Sequence, residues 1–229
     1  TTQDIFGEVY EMPQTVTNKW IHVLHPCLNQ ALAMVGETPA RHAQDLHLAP
    51  EKGQLFFQDG TERPIQRPKN QEIQGTFYSG KKKRHCVKNN VVVNRQAKII
   101  LLTPTCEGKK HDKKIADETG LSFPEGSSLC QDTGFQGYSL TNVTMIQPKK
   151  KPRGKELTPE EKESNRQISL LRIRVEHAIG GVKRYRIVKD QLRVRKDEFR
   201  DRVMETCCGL HNFRLNFRPW HYNIDSAKS

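Results

Sequence analysis

Three acidic residues of this 229-residue chain stand where side chains do chemistry. Asp59 ends the run Gly53-Gln54-Leu55-Phe56-Phe57-Gln58, Asp132 directly follows Ser128-Leu129-Cys130-Gln131, and Glu176 lies inside a helical pattern. Both runs read as strands, which sets the two aspartates at strand ends. Strand ends that adjoin in one sheet, with a helix packed across them, can bring three carboxylates from distant sequence into one cluster. Such a cluster repels itself unless cations fill it. Hard oxygen donors of this kind suit Mg²⁺, with Mn²⁺ as a substitute. Two such ions about 4 Å apart activate a water or a 3′-hydroxyl and stabilise the leaving oxygen in phosphodiester chemistry.

The helix face opposite the apolar stripe around Glu176 holds Arg172, Glu176, Gly180 and Lys183 at spacings of 4, 4 and 3. A metal carboxylate flanked by cations suits a phosphate substrate. Periodicity alone favours a solvated helix with routine charge pairs, and Gly180-Gly181 weighs against that. A glycine pair is costly inside a helix and marks its end or the close approach of another backbone. His111 and Asp112 form a second candidate site, since a carboxylate beside an imidazole assists proton transfer or binds metal. Asp112 reads equally as a helix cap. His177, beside Glu176, points to a different helix face and is not assigned as a base. His22 and His25 lie near Cys27 without a second ligand pair and read as structural.

The elements that must position these groups follow from pattern. Ile5, Phe6, Val9 and Met12, then Val16, Trp20, Val23, Leu24 and Leu28 after Pro13, predict two helices over residues 1–50. They resemble the end of a helix-turn-helix, and equally an ordinary helical hairpin, which the net charge of −3 over residues 1–58 favours. Pro39, Pro50 and Gly53 mark a connector. Strands are expected at 53–58, at Gly75–Ser79 and His85–Asn94 around a basic turn, at Lys98–Thr103, at Ser127–Gln131 and at Val143–Gln147. A short helix is expected around Ile115 and Thr119. Thr158-Pro159-Glu160-Glu161 opens a helix by cap, proline and first-turn acids, and Ile168, Leu171, Val175, Ile179 and Val182 form its apolar stripe. Phe199, Val203, Cys207 and Leu210 give a last helix. Trp20 and Trp220 read as packing residues, or Trp220 with its aromatic neighbours as a docking tail.

The net charge is +12, and residues 149–202 carry 18 basic and 9 acidic residues, three quarters of that excess. A polyanion, most simply nucleic acid, is the expected partner. The mean hydropathy of −0.76 and the lack of any run of about 20 apolar residues exclude a spanning helix. Six cysteines without CxxC pairs read as reduced intracellular thiols. Lys81, Lys82, Lys83 and Arg84 form one basic run, and Lys149, Lys150, Lys151 and Arg153 another. Both read as phosphate clamps or as solvated loops.

Asp59-Gly60-Thr61-Glu62-Arg63-Pro64-Ile65, Tyr78-Ser79-Gly80-Lys81-Lys82-Lys83-Arg84-His85, Gly108-Lys109-Lys110-His111-Asp112, Asp132-Thr133-Gly134-Phe135-Gln136-Gly137-Tyr138, and Asn165-Arg166 with Arg174-Val175-Glu176-His177-Ala178-Ile179-Gly180 occur in this order. Together they resemble the DDE-superfamily transposases of bacterial insertion sequences, in the group related to eukaryotic Harbinger elements. The resemblance implies an α/β, ribonuclease-H-like mixed sheet flanked by helices, with a helix-turn-helix upstream. It implies a catalytic domain over 51–215, a tail over 216–229, and a metal-binding catalytic triad of Asp59, Asp132 and Glu176 holding two Mg²⁺ ions. It favours phosphate contacts for both basic runs, and Arg172, Lys183 and Arg184 join them as expected DNA-binding residues. Its members cut donor DNA at terminal inverted repeats and pass the 3′-hydroxyl into target DNA, which implies double-stranded DNA as partner and a homo-oligomer on paired ends. It implies a bacterial cytoplasmic site, or a nuclear one in a eukaryote. A DNA-binding descendant without catalysis and a structure-specific nuclease of the same fold are the alternatives.

Overall fold

The computed structural model describes residues 2–48, 53–194 and 196–220. The chain forms, in order, helices α1 (Thr2–Val9) and α2 (Gln14–Met34), strand β1 (Leu55–Pro64), helix α3 (Gln71–Phe77) and strands β2 (Tyr78–Ser79), β3 (Arg84–Val93), β4 (Ile99–Leu102) and β5 (Cys106–Glu107). Helix α4 (Asp112–Thr119), strands β6 (Ser128–Cys130) and β7 (Thr144–Ile146), and helices α5 (Pro159–Val182), α6 (Arg186–Lys189) and α7 (Asp197–Phe217) complete it.

Long β1 pairs with β3 antiparallel on one side and with β6 parallel on the other, and β7 extends the parallel side. β2, β4 and β5 all pair with β3. The result is the mixed, helix-flanked sheet expected of a ribonuclease-H-like chain. Consecutive apolar residues in β1 and β3 are buried on both faces, as a sheet between two layers requires. Phe57, Val91, Val93 and Cys130 pack under α5 and α7 against Val175, Ala178, Val182, Val203, Met204 and Cys208. Phe56, Val92, Leu101 and Leu129 pack on the other side against Ala116 of α4, Leu121, Phe123 and Phe135.

Several boundaries differ from the pattern-based expectation. β1 does not end at Asp59; its pairing with β3 continues from Asp59↔Val91 to Pro64↔Cys86, so Asp59 sits mid-strand. Gly75–Phe77 is the last turn of α3, not a strand, because Asn70 caps that helix by accepting from the Glu72 N–H at 2.9 Å. The stripe Val16, Trp20, Val23, Leu24 and Leu28 is exposed rather than buried. α2 instead docks on α7 through its polar side: His25 Nε2 meets Thr206 Oγ1 at 3.0 Å, Asn29 donates to Glu205 at 3.0 Å, and His22 and His25 lie against Phe199. The histidines near Cys27 are thus packing groups, and Cys27 is a free thiol like the other five cysteines.

A buried polar network ties the layers together. Arg63, almost fully buried on β1, donates to Arg200 O at 2.7 Å, Asn89 Oδ1 at 3.0 Å and Thr105 Oγ1 at 2.9 Å. Burial pulls its guanidinium down to about 10. Thr105 in turn donates to Asp201, which pairs with Arg41 at 2.7 Å. No described helix is long and apolar enough to cross a membrane.

Candidate active site

Register brings the two aspartates together. β1 and β6 run parallel with Phe57 opposite Cys130, and Asp59 and Asp132 each lie two residues further on. Asp59 is still within β1, whereas Asp132 lies past the end of β6 at the cap of the next turn, near enough for its charge to raise the pKa of Asp59. The approach is pinned by a row of amides that sequence patterns do not flag. Gln131 donates to Gln58 Oε1 at 2.6 Å, and Gln147 donates to Gln131 Oε1 at 2.7 Å and to Phe135 O at 3.1 Å. Gln58 and Gln131 are fully buried and link β1, β6 and the end of β7 just before the carboxylates.

Asp59 faces α5. Its carboxylate accepts from the Gly60 N–H at 2.8 Å and from Arg172 of α5 at 3.1 Å. Burial pushes its pKa up to about 6; Arg172 and the Gly60 N–H oppose this, while Asp132 and Asp112 add to it. Asp132 caps the turn Thr133–Phe135, accepting from the Gly134 N–H at 2.6 Å.

Asp112 opens α4 but is not its cap, a position His111 holds without a side-chain bond. The Asp112 carboxylate instead lies where Gly60 lacks a side chain: a Cβ there would stand 2.4 Å from Asp112 Oδ1. Lys88 of β3 reaches the same oxygen at 3.2 Å. Burial raises the pKa of Asp112; Lys88 opposes this, while Asp132 and Glu62 add to it. Sequence pattern makes Asp112 only a secondary candidate, and the tertiary fold is what carries it to Asp59 and Asp132.

Glu176 is exposed on α5, one turn beyond Arg172, and the carboxylates felt by Asp59 are those of Asp132 and Asp112. Its neighbour His177 stacks on Trp220 at 4.4 Å, which makes Trp220 a packing residue. His221 and Tyr222 of the expected aromatic tail lie outside the described residues. Gly181 marks the close approach of a side chain rather than a backbone: a Cβ there would meet His211 Nδ1 at 2.3 Å.

The cations gather beside this centre. The β2–β3 turn carries Lys81, Lys82 and Lys83, all exposed, and leads to exposed Arg84. Lys183, at the end of α5, is half-buried, which lowers its pKa; Lys82 and Arg84 lower it further, whereas Asp59 and Glu62 oppose them. Arg184 beside it is exposed. Lys149, Lys150, Lys151 and Arg153 are also exposed, with Lys149 paired to Glu161 and Lys151 to Glu156.

Among the described residues no three His, Cys, Asp or Glu side chains converge tightly enough to hold a metal ion. The donor chemistry nevertheless fits a hard divalent cation. Oxygen donors predominate, Asp59 is already matched by a guanidinium, and burial, reinforced by mutual repulsion, raises the pKa of Asp59 and Asp112.

Residues 58–212 match the family model described as DDE superfamily endonuclease. The chain is 34% identical over 172 residues to the probable transposase for insertion sequence element IS702 of Microchaete diplosiphon. That alignment covers 75% of this chain and 61% of the relative's length. No solved structure matches the chain.

Proposed function

Because the chain belongs to the DDE superfamily of endonucleases, a divalent-metal-dependent group, we propose that it is a DNA transposase of the insertion-sequence type. In this reading it cleaves at transposon ends and passes the resulting 3′-hydroxyl into target DNA. The observation that carries the reading is the approach of Asp132, just past the end of β6, to Asp59 on the neighbouring parallel strand β1, where burial and the charge of Asp132 raise Asp59 to about 6 beside a cationic flank.

Asp59, Asp132 and Glu176 are the proposed Mg²⁺ ligands and catalytic triad, within a catalytic domain spanning 51–215. A divalent cation held by these carboxylates would supply activation of the attacking water or 3′-hydroxyl and would offset charge on the leaving oxygen. The chain's own groups do the rest. Arg172, Lys183 and Arg184, with Lys81, Lys82, Lys83 and Arg84, bind the phosphates that flank the scissile bond. Lys149, Lys150, Lys151 and Arg153 hold duplex further out. In this reading a shift of α5, with Arg172 leaving Asp59 for a phosphate, brings the exposed Glu176 to the centre on DNA binding. Arg172 is therefore a counter-ion in the free protein and a phosphate ligand in the complex. Two copies on paired ends complete the proposed assembly.

The test is nicking of supercoiled plasmid with Mn²⁺, Mg²⁺ or EDTA. Metal-dependent nicking by the parent and none by Asp132→Asn or Glu176→Gln, with DNA binding retained, is the expected result. Equal nicking by parent and variants would overturn the triad. The exposed Glu176 also suits a second reading, a DNA-binding descendant without catalysis, which predicts tight binding and no nicking by any form. A structure-specific nuclease would cut without joining 3′-ends to new DNA.

A further inference from the structure

We propose that Asp112 is a cation-binding carboxylate of this centre, paired with Asp132 across Gly134, and that in the DNA-free protein it, rather than Glu176, completes the site. The proposal rests on the metal-dependent reading above and specifies which residues take the ion before DNA arrives.

Three observations carry it. The first is the cradle. A Cβ built on Gly134 would lie 2.8 Å from Asp132 Oδ1 and 3.3 Å from Asp112 Oδ2, so these oxygens flank one spot. Gly60 leaves the space that the Asp112 carboxylate fills, so two strands accommodate a side chain contributed by a third element. The gap suits an ion that binds one or two carboxylates and keeps several of its waters, as Mg²⁺ does.

The second is an acceptor without a donor. Asn90 lies opposite Gly60 in the β1–β3 pairing, so its side chain projects to the face on which the Gly60 Cβ would stand and the Asp112 carboxylate lies. It is fully buried and donates through Nδ2 to Asp112 O at 2.9 Å, and its Oδ1, on that same side of the sheet, has no hydrogen-bond partner. A buried amide oxygen without a donor is unfavourable, and a water carried by a cation between Asp112 and Asp132 supplies one.

The third is the division of the Asp112 carboxylate. Lys88, itself buried, holds Oδ1 at 3.2 Å and is fixed by donating to Lys110 O at 3.0 Å, while Oδ2 is turned to the Gly134 side. Lys88 thereby fixes the direction of the carboxylate without filling the gap between Asp112 and Asp132. Glu176, by contrast, is exposed, and Arg172 one turn before it is occupied by Asp59.

The experiment is Mn²⁺ titration calorimetry on the DNA-free protein, comparing the parent with Asp112→Asn, Asp132→Asn and Glu176→Gln. Thermal melting without metal checks that each variant folds. Asp112→Asn and Asp132→Asn are expected to weaken Mn²⁺ binding by about tenfold or more, and Glu176→Gln to leave it unchanged. Weakening by Glu176→Gln with Asp112→Asn unaffected overturns the inference while preserving the metal-dependent reading. No Mn²⁺ binding by the parent, with nicking also absent, overturns both. A measurement that needs no variant runs alongside: Fe²⁺ with ascorbate and peroxide cleaves backbone near a bound ion. Cuts near residues 112 and 132 without cuts near 176 support the inference, and cuts near 132 and 176 alone overturn it.

Discussion

Single side chains decide how close the elements of this centre come. Gly60→Ala places a methyl 2.4 Å from Asp112 Oδ1 and forces that carboxylate away, so stability is expected to fall by about 1–3 kcal/mol in urea unfolding, with Mn²⁺ binding weakened. His211 shows the same closeness at the far end of α5. It is fully buried, its Nε2–H donates to Ala97 O at 2.9 Å, and its Nδ1 has no hydrogen-bond partner beside Gly181. Protonating Nδ1 would bury an N–H without an acceptor, and burial lowers the pKa to about 4. An unfolded histidine titrates near 6.5, so between these values the unfolded chain binds the extra proton and stability falls as the pH falls. The expected loss is about 2 kcal/mol between pH 7 and pH 5, measured by chemical denaturation. His211→Gln, which keeps a donor for Ala97, should flatten that slope.

Elements differ in how legible they are. The start of α5 is written in local chemistry: Thr158 accepts from Glu161 N, and the Glu161 carboxylate accepts from Thr158 N at 3.0 Å, a reciprocal cap. Thr158→Ala should cost about 1 kcal/mol in thermal unfolding, and its effect on nicking should be small because the cap is remote from the carboxylates. The end of α3 passes for a strand by pattern because Gly75 and the aromatics after it suit one, whereas Asn70 and the following turn set a helix. β1 looks too short for a related reason. Asp59 and Gly60 resemble a turn in isolation, yet the β3 partner supplies ladder bonds through to Pro64. The amide row is beyond pattern reading altogether. Gln131→Leu should remove the donor to Gln58 and the acceptor for Gln147, destabilising the fold by about 1–3 kcal/mol. Nicking should fall with it, since the row sets the levels of Asp59 and Asp132.

Across the whole molecule, the acidic centre is one spot in a chain of net charge +12, so DNA binding is expected to be steeply salt dependent. Each phosphate left without its cation should lower the slope of log affinity against log salt by about 0.9. Replacing Lys81, Lys82 and Lys83 together by Gln, followed by fluorescence anisotropy across salt concentrations, tests how many phosphates the β2–β3 turn neutralises; an unchanged slope would remove it from the interface. Composition, periodicity and capping are local properties, and they suffice for the charge asymmetry, the alternation of strands and helices and the capped start of α5. Which carboxylates meet is a matter of tertiary packing. Parallel pairing of β1 with β6 brought the end of β6, and Asp132 after it, beside β1, the absence of a side chain at Gly60 admitted Asp112, and Arg172 of α5 pairs with Asp59 while Glu176 is exposed. Such proximity is a sum of register, sheet face and helix rotation over residues more than fifty apart, and no spacing along the chain encodes it.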